Sequence, residues 1–521
     1  MKTENASSQL LKTIQLCGRL GLPLRGHMDD GYLNPTQTDK ALTCQQGNFR
    51  ALLTLRINPL CICIRYVGKD GVVKEEFVGF GKIEDFTAKG IFEEMVQRLT
   101  TLGLDISCCV GQGYDGASTM SGYVSGVQAL FKNICPTAIY VHCSSHLLNL
   151  VLNHSSAVVC IRNMFDVVSE VINFIKKSHK RRAIFSCTLI GYCETRFIQR
   201  HDALKFVDHF NDIIVGLKEI HENNDQKFDA KTQQHAYSLL VALRNPSFLV
   251  SQACAKKLMS LTVWLSKKLQ AVSLALYDAV ALVDDITTEV GRWRTDETEW
   301  QGHEFTAFNQ NEHLAKMAEC DITKPHLSSN SVWRTTFTDF QELNAADYFK
   351  IVICFPYLDS VLLQFREKFC NHSVTALLLS KVATGSASPK DLIAIHLFYS
   401  RFLKCTVEEL VNQFHILKTF LSCSCNKNNS LQKLFGEISK ERFPIIYIFS
   451  QISITLSVTS CELERCFNAL KLLKSRIRSS MVDHRLNGRL ALMFIHPEIN
   501  IDSDMVINEF VLRTRKLDFV L

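Results

Sequence analysis

A chain of 521 residues with 47% hydrophobic content can hold about two to four domains with real cores. Its 58 basic and 52 acidic residues leave a net charge of +6, which is compatible with nucleic acid but excludes arguing for it from charge alone. Twenty cysteines lie scattered, and neither Cys61/Cys63 nor Cys423/Cys425 has the C-x-x-C or H-x-x-x-H partner of a structural zinc motif, so the pattern favours reduced, mostly buried thiols in an intracellular protein.

The first residues, MKTENASSQLLKTIQLC, carry charges and amides where a signal peptide needs an apolar run. The stretch FPIIYIFSQISITLSV (Phe443–Val458) is interrupted by Gln451 and serines, so no membrane is expected as a partner. Residues 1–60 have turn and linker composition, ending in the apolar NFRALLTLRI. CICIRYV (Cys61–Val67) and VKEEFVGFG (Val73–Gly81) read as strands joined by a GKDG hairpin turn. Ala88–Leu102 reads as an amphipathic helix with Ile91, Met95, Leu99 and Leu102 at helical spacing. A short buried strand, ISCCV, is expected to lead into a Gly-rich loop, followed by a helix (VSGVQALFKN) and a strand (AIYVHCS). That order is an α/β layer. From about 155 to 440 helical patterns dominate, including Ala236–Leu243 and Leu258–Asp285, and a basic helix follows near 460–478.

Gly111-Gln112-Gly113-Tyr114-Asp115-Gly116 spells G-x-G-x-x-G. A dinucleotide fingerprint needs an acidic residue about 20 positions on, and FKNICPTAIYVHC offers none. Asp115 would also set a negative charge where pyrophosphate belongs. A plain structural turn and a strand-end carboxylate at Asp115 are the other readings. On the helix Thr459–Met481, Leu463, Phe467, Leu470, Leu473 and Ile477 share an apolar face. Glu464, Lys471 and Arg478 form a neighbouring stripe, which suits either a solvated edge or a carboxylate beside phosphate-binding cations.

Eight blocks occur in one order: LRGH (Leu24–His27), GNFRALL (Gly47–Leu53), GQGYDGASTMSG (Gly111–Gly122), HCSSHLLNL (His142–Leu150), SHKRR (Ser178–Arg182), CETRFIQRHDAL (Cys193–Leu204), ELERCFNALKLLKSRIRSSM (Glu462–Met481) and HRLNGRLAL (His484–Leu492). Together they resemble the hAT superfamily of DNA transposases, in its domesticated zinc finger MYM-type branch. The resemblance implies a ribonuclease-H-like α/β fold interrupted by a large all-α insertion. Its divisions here would be 1–60, a truncated N-terminal segment; 61–154, the first part of the fold; 155–442, the insertion; and 443–521, the remainder with a dimerisation region.

In that family two Asp and one Glu hold two divalent ions, which clamp an in-line displacement at phosphorus. Asp115 matches the second Asp and Glu464 the Glu, making both the implied catalytic and metal residues. Cys143 and His146 match a C-x-x-H that lies near the active site and its DNA, although the bare pattern fits a buried Cys and a satisfied His equally well. Arg465, Lys471, Lys474 and Arg478 would neighbour phosphates, and Phe197 stands where the family usually has Trp. The first Asp has no counterpart: LLTLRI runs directly into NPLCICIRYV, Asp70 lies in the hairpin turn, and Asp29 and Asp30 lie far upstream. The family's common N-terminal zinc-binding module is missing too.

The leading expectation is therefore a transposase-derived protein, catalytically inactive, that retains dimerisation and DNA binding. An active two-metal transposase or nuclease and a host regulatory scaffold are the alternatives. No cofactor is expected, with Mg2+ only where residual activity exists. A homodimer is expected through Leu486, Leu490, Met493 and Phe494, helped by Ile445, Ile446, Ile448 and Phe449. DNA is a second expected partner, and a small-molecule substrate is not expected. Lys180, Arg181 and Arg182 within KKSHKRR read as a phosphate-contacting surface, a nuclear-import patch or a solvated helix end. The expected location is nuclear or cytoplasmic.

Overall fold

Ile62, Ile64 and Tyr66 alternate with Cys61, Cys63 and Arg65 along β1 (Pro59–Val67), a pattern suited to a pleated surface. The strand pairs with β2 (Val73–Lys82). The turn is closed by Gly68 N donating to the Val72 carbonyl at 2.8 Å, and Gly71 takes a φ of 73°, where a side chain would be strained. Next comes α1 (Ala88–Thr101), capped by the Thr87 hydroxyl accepting from Gly90 N. Then follow β3 (Gly111–Tyr114), α2 (Val127–Ile134) and β4 (Ile139–His142). β3 and β4 form a separate two-stranded parallel sheet, with Gly111 opposite Ile139 and Tyr114 opposite His142.

The computed structural model describes residues 59–186, 205–222, 227–296, 315–316, 319–324, 343–369, 374–423 and 430–473. Its further helices begin with α3 (Ser144–Ser155), α4 (Val159–Lys176), α5 (Phe210–His221), α6 (Ala230–Leu243), α7 (Pro246–Leu269) and α8 (Leu276–Thr295). They continue with α9 (Phe355–Phe369), α10 (Val374–Ala383), α11 (Pro389–Phe398), α12 (Val407–Cys423), α13 (Leu431–Glu437), α14 (Pro444–Thr455) and α15 (Cys461–Leu473). Among the described residues the chain is mostly helical, with two small sheets.

The chain divides into two compact units. The first takes Met1–Tyr66, Glu75–Ile106 and Cys461–Leu521; the second takes Val67–Lys74 and Ser107–Ser460. In the first, Arg65 pairs with Glu75 at 2.7 Å, both side chains nearly buried, and Cys61, Ile62, Ile91, Cys461 and Cys466 are buried. In the second, one continuous core runs from Ile139 and Val141 of β4 through Leu152, Val168, Leu217, Leu249 and Val361 to Ile446 and Phe449. There α3 packs on α9, α4 on α7 and α10 on α14. The helices begin where local chemistry favours it: Asn245 caps α7 with Pro246 at its first turn, and Ser388 and Asp391 form a capping box before α11.

Three expectations need correction. The predicted strand ISCCV is not one: Ile106–Cys108 is a single 3-10 turn. Its neighbouring carbonyl is taken by side chains instead of a ladder, Cys135 Sγ and Thr137 Oγ1 both donating to Cys109 O at 3.1 and 3.2 Å. The helical run Leu258–Asp285 is two helices, α7 and α8, whose break the pattern hides because Ala275 and Leu276 are also buried. Ile445, Ile446 and Phe449 are not a surface awaiting a partner, because the chain's own core covers them. Among the described residues, Ala345–Phe369 is long and apolar enough to cross a membrane by length and composition, whereas Pro444–Thr455 is shorter. Half of the apolar window of Ala345–Phe369 is buried, with Phe349, Ile353, Tyr357, Val361 and Phe365 packed into the helical core.

Candidate active site at the ends of the parallel strands

The Gly-rich motif is itself a strand, not a loop after one. Its glycines answer to neighbours rather than to a phosphate. A Cβ on Gly111 would meet Leu456 Cδ2 at 2.9 Å, and one on Gly113 would meet Ser457 at 3.1 Å, so only glycine lets residues 456–457 pass so close to β3. A Cβ on Gly116 would meet the His142 ring at 2.7 Å. Between the glycines, buried Gln112 donates its amide to Gln128 O and Ala138 O at 3.2 and 3.0 Å, tying β3 to α2 and β4.

Asp115 directly follows β3 and is exposed; its carboxylate accepts from Ala117 N at 3.3 Å. It therefore is a carboxylate at a strand's C-terminal end, the edge of an α/β sheet where ligands gather. Tyr140 on β4 donates its hydroxyl to the Asp115 carbonyl at 3.3 Å, and burial together with the Asp115 charge pushes its phenol up to about 12. His142 ends β4, and its ring stacks on His146 at 5.5 Å with planes 20° apart. Burial, then the His146 charge, lowers the His142 pKa, with Asp115 opposing. Its Nε2 is buried with no hydrogen-bond partner among the described residues. His142 is not among the sequence candidates; the H-x-x-x-H spacing from a strand end into the first turn of α3 is the signal that could have found it.

Cys143 and His146 part company. Cys143 is buried, and its Sγ accepts from Ser460 N at 3.3 Å while Ser144 N donates to Val458 O at 2.9 Å. That thiol pins residues 458–460. His146 is half-buried beside Gly116 and His142.

The other candidates belong to other elements. Glu464 belongs to the first compact unit, on α15, and is exposed, as is Arg465, which pairs with Glu462 at 2.8 Å. The described inward positions of α15 are Cys461 and Cys466, with Glu462 nearly buried, whereas Phe467 of the predicted apolar face is exposed. Lys471 is on α15 with its side chain outside the described residues, and Phe197, Lys474, Arg478, Leu486, Leu490, Met493 and Phe494 also lie outside them. Lys180, Arg181 and Arg182 sit on the turn His179–Arg182, capped by Ser178. Lys180 and Arg182 are exposed, but the Arg181 guanidinium lies 4.2 Å from the Phe174 ring centre, in a cleft with Lys177, Lys231 and His235.

The fit of a metal pair can be tested on the donor set. Among the described residues, one group of three or more His, Cys, Asp or Glu side chains converges closely enough to share an ion, and it is Cys61, Cys63 and Cys466. No such group includes Asp115 or Glu464. In the cysteine group, the two strand thiols donate toward Cys466, which holds its pKa down and pushes theirs up.

Residues 56–126 match the family model described as DUF4371: ZMYM1/FAM200, RNase-like domain. The human protein named 52 kDa repressor of the inhibitor of the protein kinase is 22% identical over 476 residues, covering 87% of this chain and 61% of that protein. Its mouse counterpart is 22% identical over 478 residues, covering 87% and 62%. These matches support a hAT transposase-derived origin for the chain. The chain spans about three-fifths of the length of the curated relatives it matches. Strand β3 and Asp115 fall inside the RNase-like region, since 111–115 lies within 56–126.

Proposed function

We propose that this chain is a hAT-derived protein that has lost strand-transfer chemistry and serves as a DNA-facing, self-associating body on a ribonuclease-H-like scaffold. In this reading the scaffold lacks its first strand, is interrupted by the helices α4 to α13, and is resumed from 443 onward by α14 and α15. One observation motivates the loss of chemistry: the side chains described beside Asp115 and Gly116 are His142 and His146, and no described group of three His, Cys, Asp or Glu side chains includes Asp115. Two-metal displacement needs a carboxylate shared by both ions. Purified full chain incubated with hairpin or nicked DNA and Mg2+ or Mn2+ is expected to give only background cleavage. Metal-dependent cleavage that Glu464→Gln abolishes would sink the reading.

Self-association belongs to the same proposal and rests on residues 486–494, since α14 is spent on the internal core. Light scattering after size exclusion is expected to show a dimer, and Leu490→Asp with Phe494→Asp a folded monomer. A monomeric wild type defeats it. The name of the human and mouse relatives, repressor of the inhibitor of the protein kinase, favours a second reading in which the chain is a nuclear or cytoplasmic regulatory scaffold working through protein contacts. Dimerisation without DNA affinity would select that one.

A further inference from the structure

Three thiols from distant parts of the sequence meet inside the first compact unit. Cys61 and Cys63 are two residues apart on β1, so both project from one face of the strand. Cys466 projects from α15, one turn past Glu462. The three Sγ atoms lie within 4.8 Å of one another. Cys466 is fully buried, Cys61 is 9% exposed and Cys63 is half-buried.

We propose that Cys61, Cys63 and Cys466 form a three-thiolate site for a thiophilic d10 metal ion, Zn2+ above all, which staples the hairpin strand β1 to the helix that carries Glu464. Three sulfurs each about 2.3 Å from one tetrahedral ion stand about 3.8 Å apart. The observed cluster needs shifts of less than about 1 Å to reach that geometry. Thiolates select soft and borderline ions, whereas Mg2+ takes oxygen. The site is therefore chemically distinct from any carboxylate centre at Asp115 or Glu464, and it stands whether or not the proposed loss of chemistry is right. A disulfide accounts for the cluster less well. Two strand residues at i and i+2 have Cα atoms about 6.6 Å apart, near the limit for a bridge. Any single bridge would also leave a third thiol unused.

The proton balance is simple. Three thiols and one Zn2+ give a tris-thiolate complex with one net negative charge and release three protons, so binding weakens as pH falls. The fourth position is open to water or to the carboxylate of Glu462, which is nearly buried and held at 2.8 Å by Arg465, a cation that balances the complex. The spacing C-x-C with a lone cysteine some four hundred residues on matches no sequence motif for zinc, which is why the cluster emerges only once β1 and α15 are brought together.

The test uses full-length protein, reduced, stripped with chelator and desalted without oxygen. Because the chain has 20 cysteines, the readout must name the residue. Iodoacetamide labelling mapped by peptide mass spectrometry is expected to slow at Cys61, Cys63 and Cys466 together, by more than about tenfold, when one equivalent of Zn2+ is added. Exposed Cys108 should label at an unchanged rate. Co2+ in place of Zn2+ is expected to show the thiolate charge-transfer band and intense d–d bands of tetrahedral coordination. Removing an outer-sphere partner costs about 10–100-fold in metal affinity, so Cys466→Ser is expected to cost more than about 100-fold, with Cys108→Ser neutral. Labelling of wild type is independent of whether any variant folds. Equal labelling rates with and without Zn2+, or recovery of a Cys61–Cys466 or Cys63–Cys466 disulfide peptide from the Zn2+-treated protein, would overturn the proposal.

Discussion

Replacing Phe449 with alanine is expected to remove about 3–5 kcal/mol from the stability of the second compact unit. The side chain is fully buried on α14 and meets the Tyr399 ring edge-on at 6.2 Å, with Ile446 of the same helix also fully buried. Deleting the ring forfeits its transfer free energy and leaves a cavity that rigid helices on several sides cannot close. Total stabilities run about 5–15 kcal/mol, so the loss is a large share. With two compact units a single melting temperature is not well defined, so the measurement is hydrogen exchange of α10 and α14 peptides alongside urea unfolding. Leu397→Ala is the control: that side chain is 67% exposed and should change stability by no more than about 0.5 kcal/mol. The result also separates two roles for α14. A core helix loses stability on Phe449→Ala at any protein concentration, whereas an interface helix would leave a stable monomer. A change within about 0.5 kcal/mol would remove α14 from the core.

Neutralising Lys180 and Arg182 to glutamine is expected to weaken DNA binding and flatten its salt dependence by about 0.9 for each phosphate no longer neutralised, about 1.8 for the pair. Both side chains are exposed at the end of the turn after α4, and Lys177 and Lys231 line the adjoining cleft. Arg181 belongs to a different experiment. Its guanidinium on Phe174 supplies about 0.5–2 kcal/mol of packing as well as charge, so Arg181→Gln confounds affinity with stability, and Arg181→Lys only partly separates them. Filter binding across a salt series checks the double variant. An unchanged slope would take this patch out of the account of DNA binding.

Much of the local architecture was legible. The GKDG hairpin, the helix read at Ala88–Leu102 and found at Ala88–Thr101, and the strand read in AIYVHCS and found at Ile139–His142 follow from alternation, helical spacing and turn chemistry, all of which act within a few residues. The resemblance carried by the ordered blocks likewise found Asp115 at the end of a strand. What pattern reading misjudged has a common cause. ISCCV looks like a strand until Cys135 and Thr137 claim its carbonyl at Cys109, and those partners lie more than twenty residues away. Ile446 and Phe449 look like an exposed apolar patch until α10 and the Tyr399 ring cover them.

By itself, then, the sequence determined most element types, the mostly helical body after the α/β segment, and the likeness to hAT transposases, because propensity, capping and ordered motifs are properties of the chain. Only the tertiary structure decided what the glycines of G-x-G-x-x-G are for, since their reason is Leu456, Ser457 and the His142 ring. It also decided that Cys143 accepts from Ser460 rather than facing a ligand, and that Cys61 and Cys63 stand beside Cys466. Such close approaches join residues hundreds of positions apart, and distance in space leaves no periodic trace along the chain.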